Sequence, residues 1–138
     1  MPNQTVELDE REGQREEAYK ASKRGPVVPT IKAVQHECWQ IAEDHGFHDV
    51  GQTFGDKLML IVSEAAEALE DFRAGKLPDQ VWYEGEKHDK PCGIPSELAD
   101  IVIRVFDVAE NYGIDLQAIT LEKMAYNRSR PYLHGKTL

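Results

Sequence analysis

The chain has 138 residues, of which 41% are apolar and 30% charged, with a formal net charge of −9. That length points to one domain, and that apolar share to a buried core. The acidic balance argues against a broad nucleic-acid-binding or anionic-membrane surface, but not against a small polyphosphate whose charge is met by divalent cations.

Cys38 and Cys92 stand in no zinc-type spacing and read as free thiols of a reducing cytosol. The opening MPNQTVELDEREGQREE has no apolar stretch for a secretory leader. No run approaches the roughly 18 apolar residues of a membrane span. The expectation is a cytoplasmic protein that engages neither nucleic acid nor membrane.

Residues 1–27 are rich in Glu, Arg, Gln and Lys and read as a polar tail, disordered or loosely helical. Residues 28–138 read as one all-α domain. Thr30 is placed to cap a first helix, TIKAVQHECWQIAEDHG, with Gly46 just past its end. A second helix is expected from about Asp56 to Ala74, stopped by Gly75, with a stripe of Leu58, Ile61, Val62, Ala65, Leu69 and Phe72. Residues 75–95 hold three glycines and three prolines and form a long connection with a short helical turn near Gln80–Tyr83. Ser96 is expected to cap a third helix, ELADIVIRVFDVAENYG, and Asp115 a fourth, DLQAITLEKMAYNRSR, closed by Pro131. No segment shows β alternation, so the fold class is an all-α bundle of four main helices.

Glu64 and Glu67 are three residues apart and share a helix face; Glu97 and Asp100 do the same on the third helix. If the two helices pack side by side, four carboxylates converge. Carboxylate oxygens suit hard cations such as Mg²⁺ or Mn²⁺. Four ionised acids do not crowd together without cations between them. The competing reading is a solvated face, with Glu97 and Asp100 near a helix N-terminus and Asp100 paired to Arg104. Against it, Met59, Leu60, Ile103 and Val108 leave these helices apolar nearly all round, as in buried or interfacial helices. No Glu has a His three residues later, which argues against a di-iron bundle.

Lys123, Asn127, Arg128 and Arg130 cluster in and after the fourth helix, where cations either complement the helix dipole or contact phosphate and sugar. Trp39 is a base-stacking or a core residue, and Gln35, one turn earlier, a candidate for a base edge. His45 and His48 lack a third ligand in sequence reach and read as surface. Trp82 and Tyr83 read as a lid over the pocket or as packing under a loop.

Taken together, Ser63-Glu64-Ala65-Ala66-Glu67, the later Glu97-Leu98-Ala99-Asp100 and the run KMAYNRSRP resemble the MazG-like, all-α nucleoside triphosphate pyrophosphatases, whose signature is EExxE, a spacer, then ExxD. The resemblance spans about residues 30–135. It implies a metal-dependent enzyme that cleaves the α–β bond of an NTP or dNTP, releasing the monophosphate and pyrophosphate. It implies Glu64, Glu67, Glu97 and Asp100 as catalytic metal ligands for Mg²⁺, with Mn²⁺ as a substitute. It also implies Lys123 and Asn127, with Arg130, at the substrate. Relatives of this kind assemble as dimers or tetramers, so a homodimer or homotetramer is expected. Two departures stand out. Ser63 occupies the place of the first Glu, and the spacer from Ala68 to Ser96 is 29 residues. The first keeps open an alternative reading, a non-catalytic nucleotide- and metal-binding regulatory module.

Overall fold

The computed structural model describes residues 29–131. The 1–27 tail read from the sequence lies outside them. Four helices follow in order, α1 (Ile31–Asp44), α2 (Phe54–Arg73), α3 (Ile94–Asn111) and α4 (Leu116–Ser129), with a small β-hairpin between α2 and α3. Among the described residues no helix is long and apolar enough to cross a membrane.

The helix starts follow from local capping. The Thr30 hydroxyl accepts from the Ala33 amide, and the Asp115 carboxylate from the Ala118 amide. Each satisfies one of the four amides that a helix start leaves without partners. Thr53 and Asp56 form a reciprocal capping box, so α2 opens at Phe54, two residues before the expected start. Ser96 does not cap α3. That helix opens at Ile94 behind Gly93, with Pro95 in its first turn, where no intrahelical N–H is required. The Ser96 hydroxyl instead donates to the Pro91 carbonyl at 3.0 Å.

The connection departs further from expectation. In place of a helical turn near Gln80–Tyr83, Trp82–Glu84 (β1) pairs antiparallel with Lys90–Cys92 (β2), Trp82 opposite Cys92. Strands of three residues are too short to show an alternation in sequence. Gly93 joins this hairpin to α3 at φ 107°, a region favoured by glycine. A Cβ there would lie 2.4 Å from the Gln80 carbonyl oxygen and 2.9 Å from the Trp82 ring. The hairpin therefore seats against the first turn of α3. Lys76 Nζ lies over the Trp82 ring, 4.7 Å from its centroid, and Trp82 Nε1 donates to Glu84. Trp82 thus packs under the hairpin, while Tyr83 is exposed.

Helix α3 is central, packed between α2 on one side and α1 on the other. Both neighbours run antiparallel to it: Glu64 meets Arg104 while Lys57 meets Asp107, and Gln35 meets Glu110 while Cys38, further along α1, lies near Asp107. Helix α4 rests mainly on α1, at the end remote from the start of α3, where Lys32 N donates to Gln117.

The packed face of α2 overturns the sequence expectation. Its inward residues are Lys57, Leu60, Ile61, Glu64, Ala68 and Asp71, which recur at three- and four-residue steps. Of the expected stripe only Ile61 is part-buried; Leu58, Val62, Ala65, Leu69 and Phe72 are exposed, Phe72 at 60%. On α3, Leu98 and Val102 are likewise exposed while Glu97, Asp100 and Arg104 turn inward. Within one chain these two helices turn charged residues inward beside Leu60, Ile61, Ile101, Val105 and Val108, and leave a second set of apolar residues outside. No large side chain among the described residues is fully buried.

Candidate metal centre

The antiparallel packing of α2 on α3 brings Glu64, Glu67 and Glu97 together, with one carboxylate oxygen of each within 4.8 Å of the others. Asp100 stands just outside this triad, one turn along α3. It remains close enough that the charges of Glu64 and Glu67 act on it. The four acids named from spacing thus face one another across a single helix interface.

Arg104 also enters this interface. Its Nε donates to Glu64 Oε1 at 2.5 Å, and Glu64 is only 6% exposed. The sequence reading paired Arg104 with Asp100 along the helix; the guanidinium reaches across to Glu64 instead. A buried carboxylate without a partner is costly, and Glu64 lies deeper than Asp100. Arg104 neutralises one charge of the group; among the described residues Glu67, Glu97 and Asp100 have no ion pair, though the charges of Arg104 and Lys90 act on Asp100. Burial pushes the Glu97 carboxyl above its usual range, aided by the Glu67 charge and by hydrogen bonding with Glu64. Burial raises Asp100 too, with the Glu64 charge adding and Arg104 opposing.

This donor set fits a small hard cation. Mg²⁺ binds oxygens at about 2.1 Å in octahedral geometry, so opposite ligands stand about 4 Å apart and adjacent ones about 3 Å. At least two of the three pairs would then be adjacent, so a spread of up to 4.8 Å needs a closure of up to about 2 Å, and a cation would relieve the mutual repulsion that adds to burial in raising Glu97 and Asp100. Ser63 Oγ donates to Glu67 Oε1 at 3.4 Å and adds no charge to the group.

Beside the acids lies a cavity of about 400 Å³ between α1, α2 and α3, with Asp100 and Arg104 on its wall. Ile41, Phe47, Leu60 and Ile103 make most of it apolar, and Lys57 and Asp107 bring charge. Lys57, 7% exposed, donates from Nζ to Asp107 Oδ2 at 2.9 Å. Lys57 and Glu64 are seven residues apart, as are Asp107 and Asp100, so this pair repeats the acidic layer about 10 Å further along the same faces. Cys38 also lines the cavity; burial and the charges of Glu37 and Asp107 push its thiol up, away from the reactive thiolate.

The other sequence candidates lie elsewhere in the chain. Gln35 is buried, and its amide nitrogen donates to Glu110 Oε2 at 2.8 Å and to the Ile114 carbonyl at 3.0 Å. Its Oε1 is buried without a partner among the described residues. Trp39 stacks between His36 and His48 and donates weakly to Asn111. Both face the C-terminal half of α3, and Glu110 is about 20 Å along the helix from Glu97 by helical rise. Lys123, Asn127 and Arg130 belong to α4 and its cap and are not gathered with the acids; Lys123 and Arg130 both lie over the Tyr126 ring.

His48 is not a surface residue. Its side chain is 11% exposed and bridges Glu43 and Asp107. Lys57 and Asp107 are residues of this interface that the sequence reading did not name, and Arg104 and His48 are ones it named with other partners or as surface. The available signal was Lys57 on the Glu64 face and Arg104 and Asp107 on the Asp100 face, legible once the charged faces are taken as inward. No protein-family model matches this chain, and no curated protein matches it either.

Proposed function

We propose that the chain is a metal-dependent nucleoside triphosphate pyrophosphohydrolase that cleaves the α–β bond of an NTP or dNTP. The observation that carries this reading is the convergence of Glu64, Glu67 and Glu97, with Asp100 beside them, next to a cavity of nucleoside size. In this reading the four acids hold Mg²⁺, or Mn²⁺ in its place. The ion supplies charge neutralisation for the phosphates and makes water more acidic. The acids fix the ion against α2 and α3, and Arg104 holds Glu64 in its inward rotamer. Glu97, whose carboxyl is raised by burial and by the nearby Glu67 and Glu64, accepts the proton that attack on the α-phosphorus releases. The apolar wall of the cavity excludes water from the nucleoside, and the Lys57–Asp107 pair offers it polar contacts.

The active form in this reading is a homodimer or homotetramer. Its support is the outward apolar faces of α2 and α3 on a chain with so little dry core. Leu58, Val62, Leu69 and Phe72, each about half exposed, gain roughly 1 kcal/mol apiece when covered. Lys123, Asn127 and Arg130 then reach the phosphates from a second copy, because α4 sits at the far end of α1 in its own chain.

Ser63 favours one second reading, a regulatory module that binds nucleotide and metal without turnover. Thermal shift with Mg²⁺ and each nucleotide, run beside a pyrophosphate-release assay, separates the two. Stabilisation together with release supports the enzyme. Stabilisation without release from any NTP or dNTP supports the module.

A further inference from the structure

His48 lies in the connection between α1 and α2, and both of its ring nitrogens face carboxylate oxygens. Nδ1 is 2.5 Å from Glu43 Oε2 on α1, and Nε2 is 2.6 Å from Asp107 Oδ1 on α3. A neutral imidazole has one N–H donor and one lone pair. In that form, one of these two short contacts would set a lone pair against a carboxylate oxygen. Two N–H donors satisfy both contacts, and only the imidazolium has two. A proton on one carboxyl is the other formal solution, but imidazole holds a proton about two pKa units more tightly than a carboxylate does in water.

The surroundings fit a cation. The Trp39 ring stacks on the imidazole with centroids 5.3 Å apart and presents a π face to it. From α2, the Lys57 ammonium sits on the other Asp107 oxygen and opposes the positive charge. Cys38, also near Asp107, is a neutral thiol there, and Arg104, one turn earlier on α3, is paired with Glu64. Burial is the largest single influence on His48 and works against its charge. The hydrogen bonds to Asp107 and Glu43 outweigh it, so the pKa is raised.

We infer that His48 is a charged latch: as an imidazolium it ties the α1–α2 connection to both α1 and α3 along one wall of the cavity, and on losing its proton it keeps a donor for only one of the two carboxylates, which loosens that connection. Phe47 and Gln52, on either side of His48 in sequence, line the cavity. Gly46 and Gly51 bracket the segment with φ of 73° and 68°, which places turns at both of its ends. Release of the latch therefore moves a wall of the cavity and uncovers Lys57 and Asp107. The latch rests on these contacts alone and stands whether or not the acids bind metal.

Two measurements on the full chain test it. The first is a two-bond proton–nitrogen correlation of the ¹⁵N-labelled histidine rings, with His48 assigned through its own backbone. At about pH 7.5 an ordinary histidine is mostly neutral. His48 is expected to show two protonated nitrogens there, and a pyridine-type nitrogen at His48 overturns the proposal. The second is amide hydrogen exchange of residues 46–53 across the His48 midpoint. Beyond the intrinsic pH effect, exchange is expected to quicken about tenfold or more as a charge-assisted hydrogen bond is lost. Unchanged protection through the midpoint overturns the latch even if the ring is charged.

Discussion

Replacing Glu97 by Gln should change stability in opposite directions with and without Mg²⁺. The oxygens of Glu64, Glu67 and Glu97 lie within 4.8 Å of one another. Two unit charges at that distance repel by about 3.5 kcal/mol at an effective dielectric of about 20. Arg104 already offsets the Glu64 charge, and Glu67 is exposed and screened, so the relief on removing the Glu97 charge falls to about 1 kcal/mol. For a chain of this size that is a rise in Tm of about 3–5 °C without metal. The sign follows from linkage. Glu97 and Asp100 have raised folded-state pKa values, so between the usual carboxyl range and the raised values the folded state holds more protons than the unfolded one. The metal-free wild type therefore loses stability as pH rises through that window, and Glu97→Gln loses less. With Mg²⁺ at a hundred times its Kd the wild type gains about 2.7 kcal/mol. The variant, short of one ligand, gains less, and the order reverses. The assay is calorimetric Tm in chelator and in Mg²⁺ for both proteins, with Glu70→Gln as a control on an exposed ion pair. A Glu97→Gln variant that is less stable in chelator, or that takes the same Mg²⁺ shift as wild type, refutes the reasoning.

Leu69→Glu on the outward face of α2 should leave a monomer in light scattering at micromolar concentration, where the wild type is a dimer or larger. A monomeric wild type would remove the role given to that face. Gly93→Ala should destabilise the chain by roughly 2–4 kcal/mol in a urea melt, because the new Cβ meets backbone and the Trp82 ring at a strained φ. A variant within 0.5 kcal/mol of wild type, about the size of an ordinary surface substitution, would show that the hairpin does not seat as described.

The helices were legible in the sequence where local chemistry fixes them. Thr30, Asp115 and the glycines after α1 and α2 mark ends that need no tertiary context. The start of α3 was misplaced because Ser96 looks like a cap in isolation. The hairpin that seats Gly93 behind α3 depends on contacts with Gln80 and Trp82 that no local pattern reveals. The Glu64–Glu67 and Glu97–Asp100 pairing was legible because a three-residue step fixes a helix face, and one helix contact then joins the faces. What was read wrongly was which face of α2 is inside. Hydrophobic periodicity assigns the apolar stripe to the core, yet Leu58, Val62, Leu69 and Phe72 point outward and Lys57 and Glu64 inward. Periodicity finds an apolar face without saying whether the same chain covers it. His48 was missed for a related reason: its partners Glu43 and Asp107 come from different helices, and one of them is 59 residues away.

The central claim is that the four acids serve α–β cleavage of a nucleoside triphosphate. The most direct test is a phosphorus NMR product assay over all NTPs and dNTPs with Mg²⁺, on wild type and on Glu64→Gln and Glu97→Gln. The expected result is pyrophosphate and nucleoside monophosphate in equal amounts from at least one triphosphate. The rate should fall about a hundredfold or more in each variant, the scale for removing one charge-stabilising group. Orthophosphate as the product, no turnover of any triphosphate, or release that both variants keep at the wild-type rate would contradict it.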